Sequence, residues 1–293
     1  MTGSTSRGER PDQRSTPPSA LGSFLLPEGF EAPGAAAVLR ESSLLPEAGR
    51  YAVRSLAERR SRRERPWSLR PAPRHDEPVV LVPGFLAGDG SLAFMARALR
   101  TTGFRTYRAQ IRANVGCTLN AAAQLEARLE SVAARRGSRV QVVGHSLGGM
   151  LARGLAVRRP DLVSGIVTMG SPMLAPAAHH ACLSTSVEVL VRLSRAGVPG
   201  LMAAECVGGD CARQSFEESR SPVPDGVAFT AIYSKRDGIV DWRACVDPLA
   251  EPVEVTTSHL GMAVDPRVID HVVAALCRHE TVASLEVDRG ESA

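Results

Sequence analysis

The sequence predicts an α/β protein: a mostly parallel central sheet of about six strands, flanked by helices and interrupted by one long insertion. Three observations predict it. Short apolar runs rich in β-branched residues recur from Pro78 onward. Stretches with helical spacing alternate with them, as crossovers between parallel strands require. The polar residues suited to chemistry follow directly after the apolar runs, where the carboxyl ends of parallel strands form a crevice.

The elements follow in order. Val79–Val82 is an apolar strand that stops at Pro83-Gly84. Ser91–Thr102 has helical spacing through Leu92, Met95, Ala96 and Leu99. Phe104–Tyr107 is a short strand. Thr118–Arg136 is a helix with apolar positions at Leu119, Ala122, Leu125, Leu129, Val132 and Ala133. Val140–Val143 is a strand, and Met150–Arg159 a helix stopped by Pro160. Leu162–Met169, Val227–Tyr233 and Val253–Thr256 are strands, and Pro266–Arg278 is a closing helix. Between Met169 and Val227 lies an insertion, at about 171–226, too long for a plain loop. Val187, Leu190, Val191 and Leu193 predict an apolar helix inside it. Its place on the crevice side predicts a lid or cap.

The 293 residues suffice for one large α/β domain with an appendage, and a hydrophobic content of 44% supports a sizeable core. Aromatics make up 4%, too few for a surface that binds nucleic acid by stacking. The formal net charge of +4 is unevenly placed. Residues 1–75 carry 13 Arg against 8 Asp and Glu, and the rest of the chain is close to neutral. A near-neutral body argues against a nucleic-acid partner. We therefore divide the chain into an arginine-rich arm, 1–75, disordered or partly helical, and an α/β domain, 76–293. Residues 1–20, rich in Ser, Thr, Pro, Gly and Arg, read as a tail without fixed structure. Residues 35–65 read as one or two short helices. The arginines from Arg50 to Arg74 read as a solvated face. Peripheral contact with a lipid surface, through the arm or the insertion, is the sharper expectation. Leu21–Leu26 is too short for a secretory leader and ends at Pro27. No apolar run reaches membrane-spanning length, so a cytoplasmic location is expected. The six cysteines form no C-x-x-C, which argues against zinc. Cys206 and Cys211 flank Val-Gly-Gly-Asp, a spacer compatible with a local disulfide or with two free thiols.

Gly144-His145-Ser146-Leu147-Gly148-Gly149 follows one strand and opens one helix. A serine hydroxyl is a poor nucleophile unless it is exposed, near a base and near oxyanion donors. A sharp strand-to-helix turn gives the exposure, and glycines two residues to either side remove the side chains that would clash. A bare G-x-S-x-G is a weak signal; the strand before it and the Ala/Leu-rich helix after it make it specific. Asp237, after Val227–Tyr233, and His259, after Val253–Thr256, supply an orienting acid and a base in the chain order Ser, Asp, His. Asp241 is the rival acid, one turn beyond Asp237. Of the other histidines, His145 lies inside the turn, His179 and His180 lie in the insertion, and His75, His271 and His279 lie in linker or helix contexts. An oxyanion needs two backbone N–H donors. Leu147, next to the serine, and Phe85, in the Pro83–Gly88 loop after the first strand, are placed to supply them.

Together, V-P-G-F at 82–85, G-H-S-L-G-G at 144–149, S-K-R-D-G-I-V at 234–240 and S-H-L-G at 258–261 resemble the α/β-hydrolase superfamily, bacterial lipases and esterases in particular. The resemblance covers about Pro78–Arg278. It implies Ser146 as nucleophile, Asp237 as acid, His259 as base, and Phe85 and Leu147 as oxyanion donors, with no metal and no organic cofactor. It implies cleavage of a carboxylic ester through an acyl-enzyme. The apolar insertion favours a hydrophobic ester. An acyltransferase using the same acyl-enzyme, or a non-catalytic binding protein on the same fold, are the rival readings. The insertion has no counterpart in the resemblance, so the substrate is not implied.

Overall fold

The computed structural model describes residues 21–64 and 74–290. The tail at 1–20, and Arg65 and Arg70 of the basic run, lie outside them. A 3₁₀ segment at Ala35–Ser43 leads into helix α1, Leu44–Glu64. Then come β1 (Pro78–Val82), α2 (Ala93–Thr101), β2 (Arg105–Arg108), α3 (Thr118–Arg136), β3 (Val140–His145), α4 (Leu147–Arg158) and β4 (Val163–Met169). The insertion contributes α5 (Ala181–Arg195), α6 (Glu205–Gly208) and α7 (Asp210–Arg220). The chain closes with β5 (Ala228–Ser234), β6 (Glu251–Val255) and α8 (Pro266–Gly290).

The six strands form one sheet in the order β2-β1-β3-β4-β5-β6, and all five pairings are parallel. Both faces are covered, which is why β1, β3 and β4 are buried at every residue. The two-residue alternation of a strand divides the core in two. Val79 and Leu81 point to one face, where they meet Met95 and Leu99 of α2 and Val268, Val272 and Leu276 of α8. Val80 and Val82 point to the other, against Leu125 and Leu129 of α3 and Leu151 and Leu155 of α4.

Two differences from the sequence reading have plain causes. The helix after the elbow starts at Leu147, not Met150, because the chain turns into it at Ser146 without a connecting residue. The insertion holds three helices, not one. In α7 only Ala212, Phe216 and Ser219 are buried, too narrow a stripe to announce itself in the sequence.

The strand order reverses between β1 and β3: from β1 the chain steps outward to β2, then returns past β1 to β3. Such a switch point splays the loops at the carboxyl ends of the two strands and opens a crevice between them. The Phe85 loop leaves β1 there, and Ser146 leaves β3.

Residues 21–64 belong to the folded body. Leu44, Ala48 and Tyr51 pack against the α8 side of the core. Arg50 pairs with Asp265 at 2.5 Å and Arg54 with Asp270 at 2.8 Å. Nearer the start, the Gly22 N–H donates to the Val207 carbonyl at 3.0 Å, and the Leu25 carbonyl accepts from the Ala177 N–H at 2.9 Å. This strap therefore lies across the insertion. Among the described residues no helix is long and apolar enough to cross a membrane.

Candidate active site

Ser146 takes φ 52° and ψ −123°, a left-handed conformation rarely adopted by a side-chain-bearing residue. Strain of this kind costs on the order of 1–3 kcal/mol and persists only where the surroundings impose it. Here β3 and α4 meet with no spare residue. A side chain at Gly148 would overlap the Val82 carbonyl oxygen, and one at Gly144 would overlap the backbone of Gly149. The Ser146 N–H is held by the Met169 carbonyl at 2.9 Å. Its side chain borders a cleft lined by Phe85, Leu147, Met150, Leu183, Val187, Met202 and Phe216, with Leu21 and Leu25 of the strap.

Asp237 and His259 come from the loops after β5 and β6, neighbouring strands. Asp237 Oδ1 accepts the N–H groups of Ile239 and Val240 at 2.8 and 2.9 Å. That leaves Oδ2 for His259 Nδ1, at 2.7 Å. Both side chains are buried. With Nδ1–H donating to the carboxylate, Nε2 keeps its lone pair and is the free proton acceptor. Burial alone would lower the His259 pKa. The charge and hydrogen bond of Asp237, helped by Glu41, outweigh it and raise the pKa above the ordinary histidine value. Ser146 Oγ and His259 Nε2 carry no hydrogen bond among the described residues. The elbow meets the base loop through His145 instead. The His145 ring lies 4.8 Å from that of His259, and its Nε2 lies 3.0 Å from the His259 carbonyl oxygen. Burial, then the nearby His259, push His145 down to about 3. It is neutral at ordinary pH, and its Nε2–H donates to that carbonyl.

Gly170, just after β4, has φ +56°, and a side chain there would come within 3.0 Å of His259 Nδ1 and 3.3 Å of Asp237 Oδ2. Asp241 is also buried, but its carboxylate caps the 3₁₀ turn Trp242–Cys245, accepting from the N–H groups of Arg243 at 3.1 Å and Glu31 at 3.2 Å. It does not reach His259.

The N–H groups of Phe85 and Leu147 have no acceptor among the described residues. The Phe85 loop is fixed by Asn114, which is buried. Asn114 donates Nδ2–H to the Pro83 carbonyl at 3.1 Å and exchanges backbone hydrogen bonds with Leu86 and Ala87. Leu86 itself sits at φ 60°. The loop lies on the serine: a side chain at Gly84 would meet Ser146 Cβ at 3.0 Å.

The sequence reading missed two carboxylates of the strap, Glu41 and Glu47. Glu47 is buried and accepts from the Ser258 N–H at 2.9 Å and the Ser258 hydroxyl at 2.6 Å, next to His259. The signal was there: Glu47 falls on the same helical face as Leu44, Ala48 and Tyr51, the side that packs on the body. Cys206 and Cys211 are free thiols, as are the other four cysteines. Among the described residues no group of three or more His, Cys, Asp or Glu side chains is arranged to hold a metal ion.

The sequence profile of the Alpha/beta hydrolase family matches residues 79–290, most of the chain. The chain belongs to that family. Bacillus licheniformis lipase BlEst2 in its mature form superposes with a TM-score of 0.55 at 16% identity, over 71% of this chain and 94% of the lipase. The structure described for the metagenome-derived lipolytic enzymes LipS and LipT gives 0.51 at 13% identity, over 71% and 96%. At such identities the likeness is one of fold. No curated protein sequence matches the chain.

Proposed function

We propose that this protein is a serine hydrolase that cleaves carboxylic esters with a hydrophobic acyl or alcohol group through an acyl-enzyme. One observation carries the reading: a buried His259 held by Asp237 at 2.7 Å, its Nε2 unengaged among the described residues, on a loop that meets through His145 the strained elbow whose serine borders an apolar cleft. In this reading Ser146 Oγ attacks the acyl carbonyl while His259 Nε2 takes its proton. The Phe85 and Leu147 N–H groups, without acceptors among the described residues, bind the oxyanion of the tetrahedral intermediate. The intermediate collapses, His259 returns the proton to the alkoxide, and the alcohol leaves. Water, deprotonated by His259, then attacks the acyl-enzyme and releases the carboxylic acid and Ser146. Leu21, Leu25, Met202 and Phe216 offer the cleft no hydrogen-bonding side chain, which supports a hydrophobic substrate.

The test is labelling by a fluorophosphonate together with hydrolysis of p-nitrophenyl esters of increasing chain length. Ser146 should be the labelled residue, and Ser146→Ala should abolish both signals. Purified protein that neither labels nor cleaves any ester of the series would end this reading.

A further inference from the structure

We propose that Glu41 is a positioning residue for this site, a clamp from the N-terminal strap that holds the acid turn and the base loop in mutual register. The proposal rests on the ester-hydrolase reading above. Glu41 Oε1 accepts the N–H of Gly238, next to Asp237, at 3.0 Å. The same oxygen accepts the N–H of His259 itself, also at 3.0 Å. Oε2 accepts the N–H of Leu260 at 2.9 Å. One carboxylate thus joins two loops that leave different strands. The arm is rich in arginine, yet among the described residues Glu41 pairs with none of them. Among the described residues, every hydrogen bond of its carboxylate is to the backbone of the two loops.

The surrounding contacts fit a fixed clamp. Arg40 Nη1 donates to the Asp237 carbonyl at 3.4 Å. The Ala37 carbonyl lies so close to Gly238 that any side chain there would overlap it. One residue before His259, Glu47 holds Ser258 from the same strap. On the body itself, the bond joining the two loops beside the Asp237–His259 pair is Ser234 Oγ–H to the Thr257 carbonyl, at 2.6 Å. Hydrogen bonds to a carboxylate are stronger than neutral ones, so the strap adds to that restraint.

Glu41 also brings a negative charge to His259. The ring is faced by Asp237 from the acid turn, by Glu41 from the strap and by His145 from the elbow. His145 is uncharged above about pH 3, so in the working range the field on His259 comes from the two carboxylates. Removing the Glu41 charge makes the imidazolium less favourable, and the rising limb of the pH–rate profile must move to lower pH.

The experiment uses the full chain with Glu41→Gln, Glu41→Asp and, as a control on the exposed face of α1, Glu58→Gln. It reads p-nitrophenyl ester kinetics from pH 5 to 9, and the His259 side-chain titration by nitrogen-15 NMR. In Glu41→Gln, kcat should fall on the order of tenfold with KM nearly unchanged. The His259 midpoint should drop by about half a unit, since the carboxylate is partly exposed and partly screened. Glu41→Asp keeps the charge but is one methylene short of spanning both loops. It should lose kcat while the midpoint stays. Glu58→Gln should match the wild type. A Glu41→Gln protein with only a lower melting temperature, and unchanged kcat and His259 midpoint, overturns the clamp. A wild-type chain without esterase activity overturns the hydrolase reading instead. The NMR titration then decides the clamp by itself, an unmoved midpoint counting against it.

Discussion

Asp237 and Asp241 stand four residues apart and are both buried, yet the structure gives them different work. Asp237 divides its two oxygens between two backbone N–H groups and His259, whereas Asp241 caps a 3₁₀ turn and anchors the strap at Glu31. Asp237→Asn presents an amide to Nδ1 and favours the wrong tautomer, so kcat should fall by roughly 10³- to 10⁴-fold. Asp241→Asn should cost stability, about 1 kcal/mol by the usual worth of a cap, and leave kcat within a few-fold. Ester kinetics and urea melts on the two variants check this, and a larger kcat loss in Asp241→Asn would reverse the assignment. At this scale, what the sequence exposes is whatever follows a strand. Asp237 and His259 stand out because each comes straight after an apolar run. Glu41 does not, because nothing local distinguishes a carboxylate that bonds to backbone 197 and 218 residues away from one facing water. His145 was set aside as a residue inside the turn, since its partner, the His259 carbonyl, is defined only by the fold.

Helix α4 carries the elbow, and it is anchored in an unusual way. Arg153 is buried on it and pairs with buried Asp247, Nε to Oδ2 at 2.6 Å, while its Nη1 donates to the Ser221 carbonyl at the end of α7 at 3.0 Å. The pair joins the elbow helix to the insertion and to the loop before β6. Removing one member leaves the other charged and desolvated, which typically costs 3–5 kcal/mol. Asp247→Ala should therefore lower the unfolding free energy by about that much. Activity per site titrated with fluorophosphonate should stay near the wild-type value. A loss below about 1 kcal/mol in a denaturant melt would show that solvent reaches the pair. The sheet was legible at this scale because strands buried on both faces leave continuous apolar runs, and the helices beside it carry wide apolar stripes. The insertion was less so. Its helices line a cleft, so each buries only a few residues, as Val187 and Val191 do for α5.

For the whole molecule, three histidines are buried in the neutral form. Burial lowers His145 to about 3 and His279 to about 4, and it lowers His179 as well. In the unfolded chain each takes up a proton near pH 6.5. Stability is therefore fully present above that value. It declines as pH falls toward the folded-state values, by about 1.4 kcal/mol per pH unit for each such group. His259, whose folded pKa is raised, adds no slope below 6.5, because it is protonated in both states there. Melting temperature should fall steeply between pH 6.5 and 4.5, and a flat profile over that range would contradict the buried neutral histidines. The α/β class was legible at this scale from the alternation of elements alone. The reach of the arm was not, because its arginines dominated its composition and hid the few residues that dock. That reach bears on the order of events during synthesis. The strap leaves the ribosome before its partners at Gly238, His259 and Leu260, which are made nearly 200 residues or more later. The contacts of the proposed clamp are thus among the most sequence-distant of the described residues, and they close late. A nascent chain can hold a finished elbow and most of its sheet while a segment made well before them still waits for its place.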